Sequence, residues 1–160
     1  MGGVAVSRYT LLIDGPSGAG KTTLAELIGS ALGIRVVHMD DFYPGWAGLE
    51  EGARMVAEDV LDPVNPGYWR WDWEQERRGD WVRLDPRADL IVEGVGAVTE
   101  ASIRAARALG DVDTLRVVAD PATRKARALA RDPGFAAYWR MWAEQEARLS
   151  CAEVDATVSR

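Results

Sequence analysis

One octapeptide, Gly15-Pro-Ser-Gly-Ala-Gly-Lys-Thr22, constrains the fold of this chain more than any other feature. It follows a short apolar run, residues 9–14, which is typical of a buried strand. It precedes a segment whose apolar residues recur at helical spacing: Leu24, Leu27, Ile28 and Ala31. Because the glycines let the backbone N–H groups turn inward at the start of a helix, the loop predicts an anion site.

The loop matches the pattern G-x-x-x-x-G-K-[ST], whose chemistry is phosphate binding. We expect Lys21 to reach the outer phosphates of a nucleotide and the hydroxyl of Thr22 to bind Mg²⁺, which bridges phosphate oxygens. A glycine-rich turn with a chance lysine is the alternative, and the flanking strand and helix argue against it. The other expected nucleotide contacts from the loop and the following turn are Gly15, Ser17, Gly18, Ala19, Gly20 and Thr23.

Further strands and helices alternate along the chain. Apolar strands are predicted at 34–39, 89–93, 114–119 and 155–158, and helices at 99–109, 121–131 and 135–149. Strands that are apolar throughout, rather than at every second position, are typical of a parallel sheet covered on both faces. The fold class predicted is therefore α/β, a three-layer sandwich with a mostly parallel five-stranded sheet.

Two acidic residues are predicted at the same edge of the sheet as the loop. Glu93 ends the strand 89–93, and we expect it on the magnesium side together with Thr22. Asp40 follows the strand 34–39, and we expect it to take or orient the proton of an acceptor hydroxyl. A phosphate acceptor would need cations instead, so a carboxylate here favours an alcohol. A capping role for Glu93 and a turn role for Asp40 are the alternatives.

Three arginines lie on one face of the predicted helix 121–131, at positions i, i+3 and i+7: Arg124, Arg127 and Arg131. Like charges spaced in this way oppose helix formation, so a phosphate partner explains them better than a solvated face does. We expect Arg127 and Arg131 to act on the transferring phosphoryl group and Arg124 to bind the nucleotide. Residues 120–134 would then form a lid that excludes water from the site.

Residues 41–87 interrupt the alternation and form an insertion that we assign to acceptor binding. The segment holds Trp69, Trp71 and Trp73, whose rings share one face if the backbone is extended. Packing in the core is the favoured interpretation for these rings as a set; stacking on a planar substrate is the alternative. Our candidate substrate residues are Tyr43, Trp71 and Asp72. A solvated surface turn is the favoured interpretation for Arg77 and Arg78, and a clamp on an anionic acceptor is the alternative.

Together these segments resemble the uridine kinase and phosphoribulokinase branch of the P-loop kinases. The matching motifs are GPSGAGKTT at 15–23, MDDFY at 39–43, LIVEGVGA at 90–97 and DPATRKARALARD at 120–132. The resemblance implies the P-loop nucleoside triphosphate hydrolase fold, Asp40 as the catalytic base, Glu93 near magnesium and the three lid arginines on phosphates. It also implies ATP and Mg²⁺ as the cofactors of a small-molecule kinase that phosphorylates a hydroxyl.

The chain departs from this family in its acceptor element. The family's Asp-His-Pro and Ala-Phe-Asp motifs are absent, and residues 65–73 (NPGYWRWDW) stand in that region. A nucleoside is therefore one candidate acceptor among several, and a nucleoside monophosphate kinase and a nucleotide-binding module without catalysis remain alternatives. A GTPase switch is disfavoured because the only asparagine, Asn65, precedes a proline and cannot begin an N-K-x-D element.

Composition excludes some classes of partner. The 160 residues suit one domain, 1–160, and the net charge of -6 disfavours nucleic acid. No apolar run is long enough to span a membrane. With one cysteine and one histidine, Cys151 and His38, the chain lacks a metal cluster of the sulfur and nitrogen kind, and His38 is expected to be a core histidine. We expect a cytoplasmic protein, monomer or homodimer.

Overall fold

The chain alternates strands and helices, as its apolar pattern predicts. The computed structural model describes residues 7–160. In chain order the elements are β1 (Thr10–Asp14), α1 (Lys21–Leu32), β2 (Arg35–His38), α2 (Leu49–Met55), β3 (Gly67–Asp72), β4 (Arg77–Arg83), β5 (Leu90–Glu93), α3 (Glu100–Leu109), β6 (Val112–Val118), α4 (Pro121–Arg131), α5 (Trp139–Arg148) and β7 (Ala156–Ser159).

Five of the strands form one parallel sheet in the order β2-β5-β1-β6-β7, which confirms the predicted sheet. Within it His38 of β2 pairs in register with Glu93 of β5, and Ile13 of β1 pairs with Glu93 on the other side. Because all five strands run the same way, the residues that follow β1, β2 and β5 meet at one edge. That edge carries the glycine-rich loop.

The sheet separates two apolar cores, as a three-layer sandwich requires. Leu11 and Ile13 pack on one face with Ala25 of α1, while Leu12 packs on the other face in the larger core. That larger core also receives Ala106 of α3. Successive residues of a strand point to opposite faces, so a strand that is apolar throughout is buried from both sides.

The structure contains a hairpin within residues 41–87 that the apolar pattern does not predict. β3 and β4 form a separate antiparallel sheet of two strands, and Arg77 and Arg78 lie in β4 rather than in a turn. The turn that joins the strands is held by Asp72, whose Oδ1 accepts hydrogen bonds from the amides of Glu74 and Gln75 at 3.0 Å. An aspartate that caps a turn through its own side chain is a local signal for a turn. Considered only as a charge, Asp72 does not give this signal.

The last helix begins later than predicted. A 3₁₀ turn, Pro133–Ala137, occupies its expected start, and α5 begins at Trp139. Asp132 caps this turn by accepting a hydrogen bond from the amide of Gly134 at 3.0 Å. Between residues 7 and 160 no helix has the length and apolar character needed to cross a bilayer.

A buried carboxylate ties the end of β1 to the turn that follows β5. Asp14 is 4% exposed. Its Oδ1 accepts hydrogen bonds from the amides of Gly15 at 2.7 Å and Gly96 at 3.1 Å, and its Oδ2 accepts one from Val98 at 2.9 Å. Three backbone donors thus converge on one side chain, which joins the start of the glycine-rich loop to the segment after Glu93.

We predict that Asp14→Asn destabilises the fold by about 2–3 kcal/mol, because an amide nitrogen would replace one oxygen acceptor and the charge would be lost. Urea unfolding followed by circular dichroism measures the change. Asp80→Asn, on the exposed face of the hairpin, serves as the control and should change the unfolding free energy by less than about 0.5 kcal/mol. Equal stability of the two variants would show that the Asp14 contacts contribute little.

Candidate active site

The glycine-rich loop wraps against α4 at its centre. Gly18 has φ of +78°, a left-handed conformation, and a Cβ placed on it would lie 2.1 Å from the carbonyl oxygen of Arg124. Only glycine satisfies both conditions, since the φ angle is strained for other residues and a side chain would collide with the helix backbone. The loop and the arginine-bearing helix are therefore in direct contact.

Lys21 lies inside the loop and is 7% exposed. Its Nζ donates a hydrogen bond to the carbonyl oxygen of Pro16 at 3.0 Å. Burial lowers the pKa of Lys21, and the negative charges of Glu93 and Asp40 oppose that shift. A buried ammonium next to acids and open amides is ready to exchange a carbonyl partner for the oxygen of a phosphate.

Thr22 and Glu93 form a pair of oxygen donors beside the lysine. The hydroxyl of Thr22 donates to Oε1 of Glu93 at 3.0 Å, and Glu93 is 3% exposed. A hydroxyl and one carboxylate are hard oxygen ligands of the kind that Mg²⁺ prefers, with the remaining positions left to phosphates and water. The two residues fit a magnesium ion. Within 7–160 there is no cluster of three or more His, Cys, Asp or Glu side chains suited to a metal.

Asp40 lies in the short 3₁₀ turn Met39–Asp41 that follows β2, and its side chain opens into a cavity. The surrounding protein raises the pKa of Asp40 by desolvation, and the charge of Glu93 raises it further, while Arg131 and Lys21 lower it. A carboxylate with a raised pKa, held between an acid and two cations, can accept a proton and release it again.

One cavity of about 630 Å³ brings most of the predicted groups together. Lys21, Asp40 and Glu93 line it, and so do Arg127 and Arg131 of α4. Cations, acids and the loop thus surround a common space, although they come from four separate parts of the chain. The other predicted residues in its wall are Ser17, Gly18, Gly20, Thr22, Thr23 and Tyr43.

No protein-family model matches the chain. A cytidylate kinase from Aliivibrio salmonicida is 30% identical over 137 residues, which are 84% of this chain and 57% of that protein. A cytidylate kinase from Photobacterium profundum is 30% identical over 129 residues, which are 79% of this chain and 53% of that protein. The chain spans a little over half the length of these curated relatives.

Solved structures of kinases resemble the chain along almost its whole length. A protein described as a possible uridine kinase from Bacillus stearothermophilus superposes with a TM-score of 0.56 at 16% identity, over 95% of this chain and 89% of its own. A sugar kinase from Janibacter sp. HTCC2649 has a TM-score of 0.53 at 20% identity, over 96% and 84%. A gluconokinase from Sinorhizobium meliloti has a TM-score of 0.53 at 15% identity, over 97% and 82%.

This chain has the fold of the P-loop kinases. The glycine-rich loop is accordingly the P-loop, and the predicted fold class is confirmed. Identities of 15–20% describe a common architecture and leave the acceptor open.

Five predicted site residues are not among the described residues that line the main cavity. Gly15 lines a second cavity, and Ala19 is buried in the smaller core. The other three are Arg124, Trp71 and Asp72. Arg124 bonds two carbonyl oxygens, those of Ala119 and Ser17 at 3.3 Å each, and lines a second cavity behind the loop. Trp71 packs near Gly45, and Asp72 caps the hairpin turn. Neither Trp71 nor Asp72 is among the described residues that line the main cavity. The placement of Asp72 does not support a direct contact with a substrate.

Two other tryptophans take the place expected for Trp71. Trp73 lines the cavity, and its Nε1 donates to the carbonyl oxygen of Asp40 at 2.9 Å. Trp46 also lines it and stacks on Phe135 at 4.8 Å and on Tyr138 at 4.7 Å between ring centroids. The expectation that the tryptophans of 69–73 are core residues as a set is wrong, because Trp69 is 38% exposed and meets Trp81 on the hairpin.

His38 is the clearest residue that sequence reasoning placed wrongly. Its ring is not in the core: Nδ1 lies 2.7 Å from Oε1 of Glu93, and Nε2 lies 2.6 Å from Oε1 of Glu26 on α1. These two carboxylates raise the pKa of His38 to about 9, against the opposing effect of burial. The imidazolium therefore holds the carboxylate that faces Thr22. Its place at the end of β2, beside the predicted Glu93, was the available signal.

Helix α5 also contacts the site through two consecutive side chains. Oε1 of Glu146 accepts a hydrogen bond from the amide of Ser17 in the P-loop at 3.0 Å. Gln145 donates to the carbonyl oxygen of Trp46 at 2.6 Å and accepts from the amide of Leu49 at 3.2 Å. The helix thereby links the P-loop to the segment beyond Asp40. Sequence separations near 100 residues give no local signal for such contacts.

We predict that the imidazole of His38, the only histidine, titrates with a midpoint near pH 9 in the nucleotide-free protein. The pKa of His38 in the folded protein lies above its ordinary value of about 6.5. The ion pairs of His38 therefore stabilise the fold fully below about pH 6.5, and this stabilisation is lost as the pH rises through 9. NMR of the ring protons measures the midpoint. The variants Glu26→Gln and Glu93→Gln should each lower the midpoint. A midpoint near 6.5 in the wild type would contradict the contacts of His38 with Glu26 and Glu93.

We predict that Glu146→Ala speeds hydrogen exchange of the Ser17 amide by about tenfold, the equivalent of one charge-assisted hydrogen bond of roughly 1.4 kcal/mol. Glu146→Gln keeps an oxygen acceptor and should restore most of the protection. Glu144→Gln, on the same helix but paired with Arg140, is the matched control. If all three variants exchange at one rate, Glu146 does not hold the P-loop.

Proposed function

We propose that the protein is an ATP-dependent kinase that transfers the γ-phosphoryl group to the hydroxyl of a small molecule. The observation that carries this proposal is the common cavity, in which a P-loop lysine, two helix arginines and the carboxylate of Asp40 face one another. Phosphoryl transfer needs mainly positioning and positive charge around the moving group, together with a base near the attacking oxygen. The site offers each of these.

The roles of the residues follow from their places in the cavity. The amides of the P-loop and Lys21 would bind the triphosphate, with Arg127 and Arg131 on the transferring group. Thr22 and Glu93 would hold Mg²⁺, which when bound offsets phosphate charge. His38 would keep Glu93 in place through its hydrogen bond.

In the transfer step, Asp40 accepts the proton of the acceptor hydroxyl. As the acceptor oxygen forms its bond to the γ-phosphorus, the bond from that phosphorus to the bridging oxygen of the β-phosphate breaks and ADP leaves. The hydroxyl proton passes to the carboxylate of Asp40, which has a raised pKa and lies near Lys21 and Arg131. A proton acceptor is useful for an alcohol, and an anionic phosphate acceptor would not need one.

In this proposal the chain is one kinase domain with two specialised parts. Residues 120–134 act as the lid, since α4 carries Arg127 and Arg131 and touches the P-loop at Gly18. Residues 41–87 act as the acceptor segment, since Tyr43, Trp46 and Trp73 reach the cavity from it. Arg124 would assist indirectly, because its bond to the Ser17 carbonyl oxygen supports the loop.

A nucleoside monophosphate kinase is the second candidate. It is favoured by one observation, the 30% identity to curated cytidylate kinases. That activity places a phosphate on the acceptor, which calls for cations on the acceptor side of the site. Among the residues described, the cavity cations are Lys21, Arg127 and Arg131, and all lie on the P-loop or the lid. The charge distribution therefore favours a hydroxyl acceptor.

We predict that Asp40→Asn slows phosphoryl transfer by about 10²–10⁴-fold while nucleotide affinity changes little, because the base acts only in the transition state. Lys21→Ala should instead weaken nucleotide binding by about 10–100-fold through the loss of charged hydrogen bonds. ADP release during incubation with acceptor panels measures transfer, and calorimetry with ATP and Mg²⁺ measures binding.

Thermal melting of both variants controls for loss of the fold. Undiminished transfer by the Asp40 variant would remove Asp40 as the base. Absence of nucleotide binding by the wild type at millimolar ATP would end the kinase proposal as a whole.

A further inference from the structure

The acceptor end of the cavity is walled by aromatic rings. Six aromatic side chains line the cavity, and they come from the acceptor segment and from the chain that follows the lid: Tyr43, Trp46, Trp73, Phe135, Tyr138 and Trp142. The rings also pack on one another, as when Tyr43 meets Trp142 edge to face at 4.9 Å. Such a wall offers flat apolar surfaces with fixed orientation, which suit a planar partner.

Two polar groups of this wall, the hydroxyl of Tyr43 and the indole of Trp73, are committed within the protein, while the buried indole nitrogen of Trp142 has no hydrogen-bond partner among the described residues. The hydroxyl of Tyr43 donates to the carbonyl oxygen of Val95 at 2.7 Å. The indole of Trp73 donates to the backbone of Asp40, and the carboxylate of Asp132 caps the turn at Gly134. A buried hydroxyl that finds no partner costs about 1–3 kcal/mol. A polyol would place several hydroxyl protons against these rings, and the free indole N–H of Trp142 is a donor that cannot accept them, so the wall disfavours a polyol.

The charges of the acceptor end disfavour a phosphorylated acceptor as well. Tyr43, Trp46 and Trp73 bring rings to the cavity from residues 41–87, and that segment supplies no cation among its described lining residues. The acid closest to the expected reaction, Asp40, would repel a second anion. A neutral or cationic ring avoids this repulsion, and a cationic one gains from the aromatic faces.

We propose that the acceptor is an alcohol carried on a flat aromatic or heteroaromatic ring, neutral or cationic, with neither a phosphate nor a polyol chain. This inference rests on the proposed kinase function. The ring lies against the aromatic wall, and its hydroxyl oxygen takes the γ-phosphoryl group as the bond to the bridging oxygen of ADP breaks. The hydroxyl proton goes to Asp40.

The test compares classes of acceptor with the wild-type protein, ATP and Mg²⁺. The ring alcohols are pyridinemethanol, hydroxymethylpyrimidine and benzyl alcohol; the competing classes are glucose and glycerol, uridine and cytidine, and CMP. Product is detected by phosphorus NMR. We expect kcat/KM for at least one ring alcohol to exceed that of every other class by about tenfold or more, which is 1.4 kcal/mol of selectivity.

A pair of tryptophan variants locates the effect. Trp73→Leu removes a ring from the cavity and should raise KM for the ring alcohol by about tenfold, while KM for ATP stays within about twofold. Trp73→Phe keeps a ring and should recover part of the loss. Trp69→Leu is the matched control, since Trp69 lies on the exposed hairpin outside the cavity, and it should leave both KM values unchanged.

The other outcomes separate this inference from the function on which it rests. Preferential transfer to glucose, glycerol or a nucleoside would overturn the ring-alcohol class and leave a hydroxyl kinase. Transfer to CMP alone would overturn the hydroxyl acceptor too. ATP binding without transfer to any class would overturn both proposals.

Discussion

The carboxylate of Asp14 is the constraint on which the geometry of the site depends. It collects amide hydrogen bonds from Gly15, Gly96 and Val98, so the start of the P-loop and the turn after Glu93 cannot move independently. The charge is buried, yet three donors compensate for its desolvation. Since Glu93 lies just before that turn, the carboxylate of Asp14 indirectly fixes where Glu93 meets Thr22.

Near Asp14, the cavity places acidic and basic side chains close to one another. Desolvation lowers the pKa of the buried Lys21 and raises the pKa of Asp40, although the side chain of Asp40 is exposed to the cavity. The charge of Glu93 raises the pKa of Asp40, and the charge of Arg131 lowers it. A triphosphate would add negative charge beside Lys21 and the lid arginines. This distribution of charge agrees with the proposed anion on the P-loop side and the proposed hydroxyl on the aromatic side.

The parts of the fold that were predictable are those with local signals. Apolar runs placed the strands of the sheet, and Asp40 and Glu93 followed because parallel strands deliver their carboxyl ends to one edge. Arg127 and Arg131 followed from their spacing on one helix, whereas Arg124 lies outside the main cavity. His38 was missed because its partners, Glu26 and Glu93, come from other elements. Glu146 was missed for the same reason. The β3–β4 hairpin did carry a local signal, since Asp72 caps its turn, but that carboxylate was interpreted as a substrate ligand. Contacts across the chain leave no periodic trace in sequence.

The two halves of the cavity differ in how many substitutions they tolerate. This difference explains why kinases with 15–20% sequence identity share the fold of this chain. The phosphate half is set by backbone amides, left-handed glycines and a close approach between Gly18 and α4, which few substitutions can preserve. The acceptor half is set by packed rings such as Trp46 between Phe135 and Tyr138, and aromatic packing tolerates many exchanges that keep volume. A P-loop fold can therefore persist at low identity while its acceptor changes class. If the chain transfers phosphate as proposed, its specificity for the acceptor depends on the aromatic wall, where the lining residues are rings rather than cations.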